Sequence, residues 1–467
     1  LNASKRNMIQ IESSKGFPQR HRSDVSKTPY LEIDCPDYLR SPVTLSAIRR
    51  DLFKYGNKGM NLRDDTMMRQ AITHTRRAFT KFSPVRPLHF YDVLARTDLD
   101  IWTASPCLPW IHYGFKTKRQ VIEDERSVRS MRTFWWRVKE GMNIGAPDSQ
   151  AHVRAHLIET GERPKVRAVW GYPLTVLLGE AQFALPLIDM LQKGGSPMAY
   201  GFETAIGGMK KLCQQFSYCK YFATVDFKSF DKTVPNWLID EAFDILSCLM
   251  KFDRYQGSNK SDFTRICRQW DYIKRYFKYT TIRLCNGERY RKSVGIASGS
   301  YFTQLVGSVV NHIIMTYVCM RLHNSPPLEI RVLGDDSILG LDQNLDLDDV
   351  QDIIEELGMT MNYKKSSVSK KLSNMIFLGF QINSGWPTKS YSSLLASLAY
   401  PEHPDRSYDE FYTRTLGLGM ANACGNEKFD NLCRFILQGK HFDLKAGRSF
   451  TRYLKSMGIV MFDQRLP

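Results

Sequence analysis

The stretch Tyr221-Phe222-Ala223-Thr224-Val225-Asp226-Phe227-Lys228-Ser229-Phe230-Asp231, with Ile330-Arg331-Val332-Leu333-Gly334-Asp335-Asp336 about a hundred residues further on, decides how this chain reads. Both segments open as short β-branched and aromatic runs, the pattern of a buried strand, and both lead to carboxylates. A further apolar run, Ile338 to Leu341, follows the Asp335-Asp336 pair. These acids therefore fall in a turn between buried strands, where unpaired negative charge is costly. Two strands that each deliver a carboxylate suit a pair of divalent cations about 4 Å apart, because such hard ions take oxygen ligands and keep positions open for phosphate. The expected ligands are Asp226, Asp335 and Asp336, the expected ion is Mg²⁺ with Mn²⁺ as a substitute, and the expected chemistry is phosphoryl or nucleotidyl transfer. The doublets Asp64-Asp65 and Asp348-Asp349 lack that setting and read as surface or capping pairs.

Upstream of the hairpin, Gly295-Ile296-Ala297-Ser298-Gly299-Ser300-Tyr301-Phe302-Thr303 is a glycine-bearing loop that runs into a long helix. Thr303, Gly307 and Asn311 recur every four residues and share one face of that apolar rod. A polar stripe of this kind is satisfied either by another helix or by a bound nucleotide and template. In Arg163-Pro164-Lys165-Val166-Arg167-Ala168-Val169-Trp170 the cations alternate. An extended backbone, which Pro164 favours, turns all three to one side, as a neutralising face for a triphosphate or as an exposed basic edge. Lys364 and Lys365 follow an apolar run at 359–362 that reads as a strand. A lysine there is placed to give a proton to departing pyrophosphate, or is simply solvated.

The rest of the sequence bounds the class of protein. At 467 residues the chain buries a large core, and its net charge of +17 is spread along its length. That balance favours a polyanionic partner, nucleic acid rather than membrane. The longest apolar stretch, residues 301–320, carries Gln304, Asn311 and His312, which argue against a lipid-facing span, and no secretory leader opens the chain. A soluble intracellular protein is expected, with a natural start upstream of Leu1. Ten cysteines without a Cys-x-x-Cys pair read as reduced thiols. His152 and His156 are spaced to share a helix face but lack the glutamate of a hydrolytic zinc motif.

Residues 1–44 read as a basic arm or strap, and 45–82 as mostly helical, with Arg76, Arg77 and Lys81 making that part basic. Two prolines make Trp102-Thr103-Ala104-Ser105-Pro106-Cys107-Leu108-Pro109-Trp110 a rigid loop. Residues 346–357 form a helix capped by Asp346, with Leu347, Val350, Ile353, Ile354 and Leu357 on one stripe before Gly358. The order of strands and helices describes an α+β unit, a small antiparallel sheet backed by helices.

From Ser105 to Gly379 these segments, taken in order, resemble the motifs of viral RNA-dependent RNA polymerases, in particular the partitivirus-like polymerases of double-stranded RNA viruses. The resemblance implies a right-hand architecture: a basic N-terminal arm at 1–44, fingers at 45–222 and 247–292, a palm at 223–246 and 293–387, and a thumb at 388–467. It implies that Lys165 and Arg167 contact the incoming triphosphate, that Asp226 binds metal, and that Asp231 selects the ribose. Ser298, Gly299 and Thr303 correspond to the template and nucleotide loop, Asn311 lies on its nucleotide side, and Gly334-Asp335-Asp336 is the signature hairpin. In Asn362-Tyr363-Lys364-Lys365-Ser366, Lys365 is the implied general acid. Phe377-Leu378-Gly379-Phe380 is similar to the turn that braces the growing strand. Ser105-Pro106-Cys107-Leu108-Pro109-Trp110 is similar to a template-channel segment, with Cys107 where the family's pattern has glycine.

One departure concerns Gly307, where many relatives carry an asparagine that helps read the 2′-hydroxyl. Sugar selection is therefore expected from Asp231 with Ser298 or Thr303, with Gly307 only permitting close packing. The implied mechanism has one Mg²⁺ on Asp226 and Asp335 activating the RNA 3′-hydroxyl, and a second bridging the triphosphate, with Asp336 auxiliary. The implied function is template-directed RNA synthesis that replicates and transcribes a double-stranded RNA genome. RNA, NTPs and a viral capsid protein are the implied partners, in the host cytoplasm within the particle. Two rivals remain: a reverse transcriptase, against which Asp231 stands where a bulky side chain is expected, and a non-catalytic RNA-binding or packaging protein.

Overall fold

The computed structural model describes residues 7–19, 27–163 and 165–460. Parts of the expected N-terminal arm, 1–6 and 20–26, and Pro164 lie outside the described residues. The element that positions the site is a four-stranded antiparallel sheet with strands in the order Ser367–Ser369, Tyr221–Thr224, Asp336–Leu341, Glu329–Leu333. Phe222, Ala223 and Thr224 are all buried, as expected for a central strand covered on both faces. Thr224 pairs with Ile338 on one side and with Ser367 on the other. The Glu329–Leu333 and Asp336–Leu341 strands form the expected hairpin, with Leu333 opposite Asp336.

Helices back this sheet. The Phe302–His323 helix is buried along most of its length and packs on Thr66–Phe79, Asn236–Ser247 and Leu347–Glu356. In Leu347–Glu356 the expected cap is present, Asp346 accepting from the Asp348 N–H at 2.8 Å, and Val350, Ile353 and Ile354 are buried. Leu174–Leu191 and Phe302–His323 are each long and apolar enough to cross a membrane, yet 83% of each apolar window is buried inside the fold. This is how the core helices of a large domain look, since neighbouring helices take the place of solvent on every face.

A second, five-stranded sheet has the order Met8–Ile11, Arg289–Lys292, Thr281–Arg283, Ser149–Ala155, Val166–Gly171. The 247–292 insertion thus supplies strands to the sheet that carries the basic segment. Residues near the N-terminus reach across the molecule: Met8–Ile11 pairs with Arg289–Lys292, whereas Leu31 and Cys35 join the core of the C-terminal helices Tyr391–Ala399, Tyr408–Asn422 and Glu427–Leu437.

Three expectations change. Residues 45–82 are not one helical run but two helices, Leu45–Leu52 and Thr66–Phe79, joined by non-helical backbone. At Gly59 a Cβ would lie 2.1 Å from the Leu357 carbonyl carbon, so only glycine permits that crossing. The 359–362 run is not a strand; Met361 makes a single bridge to Phe227, and the sheet edge is Ser367–Ser369 instead. His152 lies in the Ser149–Ala155 strand, so it and His156 share no helix face. Burial lowers both imidazoles to about 4.

Candidate active site

Asp226 lies two residues past the end of the central strand. Carrying the Thr224–Ile338 register forward by two residues brings it level with Asp336. The segment after the Leu347–Glu356 helix holds it from three sides. Its N–H donates to Ser366 Oγ (3.0 Å), its carbonyl accepts from the Asn362 N–H (2.7 Å), and its Oδ2 accepts from Asn362 Nδ2 (2.6 Å). Asn362 and Ser366 belong to the segment that carries Lys365, so one loop both orients the strand-end acid and presents the lysine.

Asp335 and Asp336 are set by the turn at Gly334, which has φ +64°. The Phe302–His323 helix clamps that turn: the Gly334 N–H donates to Ser308 Oγ at 2.8 Å, and Asn311 Nδ2 donates to the Gly334 carbonyl at 3.0 Å. Asn311 is fully buried, one layer behind the acids. Its side-chain amide N–H therefore fixes the hairpin rather than lining the nucleotide side, while its Oδ1 has no partner among the described residues. A Cβ on Gly307 would stand 3.5 Å from Gly334 Cα, an ordinary contact, which agrees with a packing role.

The acids share one electrostatic field. Loss of surrounding water raises the Asp335 carboxyl, with Asp226 adding to the rise and Arg167 opposing it. Asp336 is pushed up to about 7, first by desolvation, then by Asp335 and Asp226, with Lys365 opposing. Its side chain touches solvent although protein surrounds it, the situation of a group on the floor of a cleft. Asp231 is raised to about 6, first by desolvation and then by Asp335, with Arg167 and Lys232 opposing. Among the described residues no three Asp, Glu, His or Cys side chains already form a coordination shell. The all-oxygen donor set and the raised carboxyls of Asp335 and Asp336 fit a hard divalent cation, which would relieve the repulsion.

Lys165 and Arg167 are exposed, with buried Val166 between them, so the alternation holds. Arg163 is exposed too but lies before the Val166–Gly171 strand. Lys165 is lowered by desolvation and then by Lys365 and Arg167, which places the three cations within reach of one another. The Ser298 loop is tied to this strand: the Trp170 N–H donates to the Ser298 carbonyl at 3.0 Å. Gly299, with φ +110°, allows the contact, since a Cβ would lie 1.9 Å from the Trp170 oxygen. Thr303 Oγ1 donates back to the Ala297 carbonyl at 2.7 Å.

Sequence reasoning missed Glu180, which is fully buried in Leu174–Leu191. Its Oε2 accepts from Ser300 Oγ (2.8 Å) and the Tyr301 N–H (3.0 Å), and its Oε1 has no partner among the described residues. Burial pushes this carboxyl up to about 8. The signal was available: a glutamate in the middle of an apolar helix needs a partner.

A palm-like antiparallel sheet with acids at its strand ends, faced by a basic strand and a glycine loop, defines a template-dependent nucleic-acid polymerase class. Residues 20–439 match the family described as viral RNA-dependent RNA polymerase, and the chain belongs to that family. It is 25% identical over 301 residues to the RNA-directed RNA polymerase of White clover cryptic virus 1, covering 59% of this chain and 48% of the relative. It is 25% identical over 330 residues to that of Atkinsonella hypoxylon virus, covering 61% and 49%, and 29% identical over 325 residues to that of Cryptosporidium parvum virus 1, covering 63% and 58%. The chain thus spans about half the length of these relatives. The crystal structure of the RNA-dependent RNA polymerase of a human picorbirnavirus superposes with a TM-score of 0.63 at 17% identity, over 89% of this chain and 83% of that one. The fold is the α+β polymerase fold.

Proposed function

We propose that this chain catalyses RNA synthesis on an RNA template, transferring nucleotides from NTPs to an RNA 3′-hydroxyl, and that it replicates and transcribes a double-stranded RNA virus genome. The observation that carries this reading is the sheet register that sets Asp226 beside Asp335-Asp336, within the field of Arg167 and Lys365. Divalent cations held by Asp226, Asp335 and Asp336 would, when bound, acidify the attacking hydroxyl and offset charge on the triphosphate. Lys165 and Arg167 bind the triphosphate and stabilise charge in the transition state, each worth about 2 to 4 kcal/mol by analogy with other preorganised donors. Asp231, with Ser298 or Thr303, orients the ribose, and Lys365 gives a proton to departing pyrophosphate. The Ser298-Gly299 loop supports template and nucleotide together.

Residues 45–222 and 247–292 act as fingers, 223–246 and 293–387 as palm, and 388–467 as thumb, with 1–44 as a basic N-terminal arm. RNA and NTPs are the substrates, and a capsid protein is the further partner if synthesis takes place in cytoplasmic particles. Asp335→Asn tests the assignment. Loss of Mg²⁺-dependent NTP incorporation on single-stranded RNA, with RNA binding retained, supports an enzyme. Unchanged behaviour favours a binding protein, and preference for dNTPs favours a reverse transcriptase.

A further inference from the structure

Residues 51–60 cross the basic strand, the loop before Ser298 and the turn that carries Asp231. Asp51 Oδ2 accepts from the Ala168 N–H at 2.8 Å, next to Arg167, and Asp51 Oδ1 accepts from Lys232 Nζ at 2.6 Å. Tyr55 OH donates to the Ile296 carbonyl at 3.1 Å and accepts from Trp170 Nε1 at 2.9 Å. The Gly56 N–H donates to the Lys232 carbonyl at 3.0 Å, and Asn57 Nδ2 donates to the Thr233 carbonyl at 2.5 Å. The turn that carries Asp231 is thus gripped on its backbone and through the side chain of Lys232.

The Asp51–Lys232 pair is buried, at 3% and 8% exposure. A buried ammonium needs acceptors, and a carboxylate is the strongest. Two carboxylates lie in its field: Asp51, which it bonds, and Asp231, its neighbour in sequence, which feels its charge. Among the described residues none donates a hydrogen bond to the Asp231 carboxylate. Asp231 feels Arg167 and Lys232 without a bond to either, while Lys232 is bonded to Asp51.

We propose that Asp51 is a positioning residue for sugar selection: by holding the Lys232 ammonium it keeps the Asp231 carboxylate free to accept from the ribose hydroxyl. The inference rests on the ribose-reading role given to Asp231 above. It separates two variants that a merely structural ion pair would make alike. Asp51→Asn keeps an acceptor for the Ala168 N–H but releases Lys232, which then turns to Asp231 and masks it. Lys232→Met removes the competitor and leaves Asp231 free, whatever it does to stability.

The test is the ratio of NTP to dNTP incorporation by the full chain on a primed RNA template, with a thermal melt for each variant. Because it is a ratio, it reads the folded fraction alone. Asp51→Asn is expected to lower the ribonucleotide preference about tenfold or more, the worth of one charge-assisted hydrogen bond. Lys232→Met keeps the preference, and the Asp51→Asn/Lys232→Met double variant restores it. An unchanged ratio in Asp51→Asn, or equal losses in the two single variants, overturns the proposal. If Asp51→Asn yields no active protein, Asp51→Ser, which also releases Lys232, supplies the comparison, and an unchanged ratio there overturns it too. If Asp231→Ala leaves the preference intact, the ribose role itself fails, and this inference with it.

Discussion

Asn362 Nδ2 sits 2.6 Å from Asp226 Oδ2, so the acid just past the central strand is aimed by an amide from the loop that carries Lys365. Removing such an outer partner costs about 10- to 100-fold in metal affinity or activity. Asn362→Ala is therefore expected to raise the Mg²⁺ concentration needed for half-maximal NTP incorporation by about that factor. Circular dichroism should remain native, because the backbone bond from Asn362 to the Asp226 carbonyl persists. An unchanged Mg²⁺ requirement would show that Asp226 needs no such guide.

The two glycines along the loop and its helix should respond in opposite ways. A methyl at Gly299 meets the Trp170 carbonyl oxygen at 1.9 Å on a backbone with φ +110°, so Gly299→Ala must displace the loop from the basic strand. RNA synthesis should fall sharply. At Gly307 the nearest atom is 3.5 Å away, and Gly307→Ala gains about 1 kcal/mol of helix propensity. Thermal melts and incorporation rates on both variants check this, and a worse loss at Gly307 would contradict the geometry.

Glu180 gives a pH signature. Its folded carboxyl is raised from 4.5 to about 8, so the folded chain keeps a proton that the unfolded chain releases. The contribution of this group is full below the unfolded value and is lost as pH rises through about 8. His152 and His156, lowered to about 4, act in the opposite sense, but only below their ordinary value near 6.5. Between neutrality and pH 8.5, about half a unit above the folded value, Glu180→Gln should flatten the decline in urea midpoint seen in the parent chain. Glutamine still accepts from Ser300 and Tyr301. Parallel curves for the two proteins would refute the assignment.

Lys364 and Lys365 are both exposed, but Lys365 is the one whose charge reaches Asp336 and Lys165. Lys365→Leu should slow single-turnover incorporation by about 10²- to 10⁴-fold, the usual worth of a general acid. Lys364→Leu should fall well short of that, and Lys365→His should recover part of the loss. Equal effects from the two leucine variants would sink the distinction.

The acids were legible because a buried strand that ends in a carboxylate is chemically expensive, and Asp226, Asp335 and Asp336 announce that expense within single short segments. The Leu347–Glu356 helix was equally plain, having a cap, a stripe and a glycine stop. What stayed hidden was relational. Asn311 looked as though it faced a ligand because periodicity assigns a face without saying what covers it; Gly334 covers it. The crossing at 51–60 was lost in a helical reading, although Gly56 and Gly59 punctuate it. Its bonds to Lys232, Ile296 and Trp170 join parts of the chain too distant for any local pattern to show.

The central strand has neighbours that arrive late. Thr224 pairs with Ile338 and Ser367, the latter 143 residues downstream, so a chain leaving the ribosome cannot close this sheet until nearly a third more of the 467-residue chain has been made. Meanwhile the 22-residue Phe302–His323 segment emerges before the Leu347–Glu356 helix and the sheet hairpin that help to enclose it. Nascent chains stalled just short of Ser367 should bind chaperones and be cut readily by protease, whereas chains extended past it should resist both.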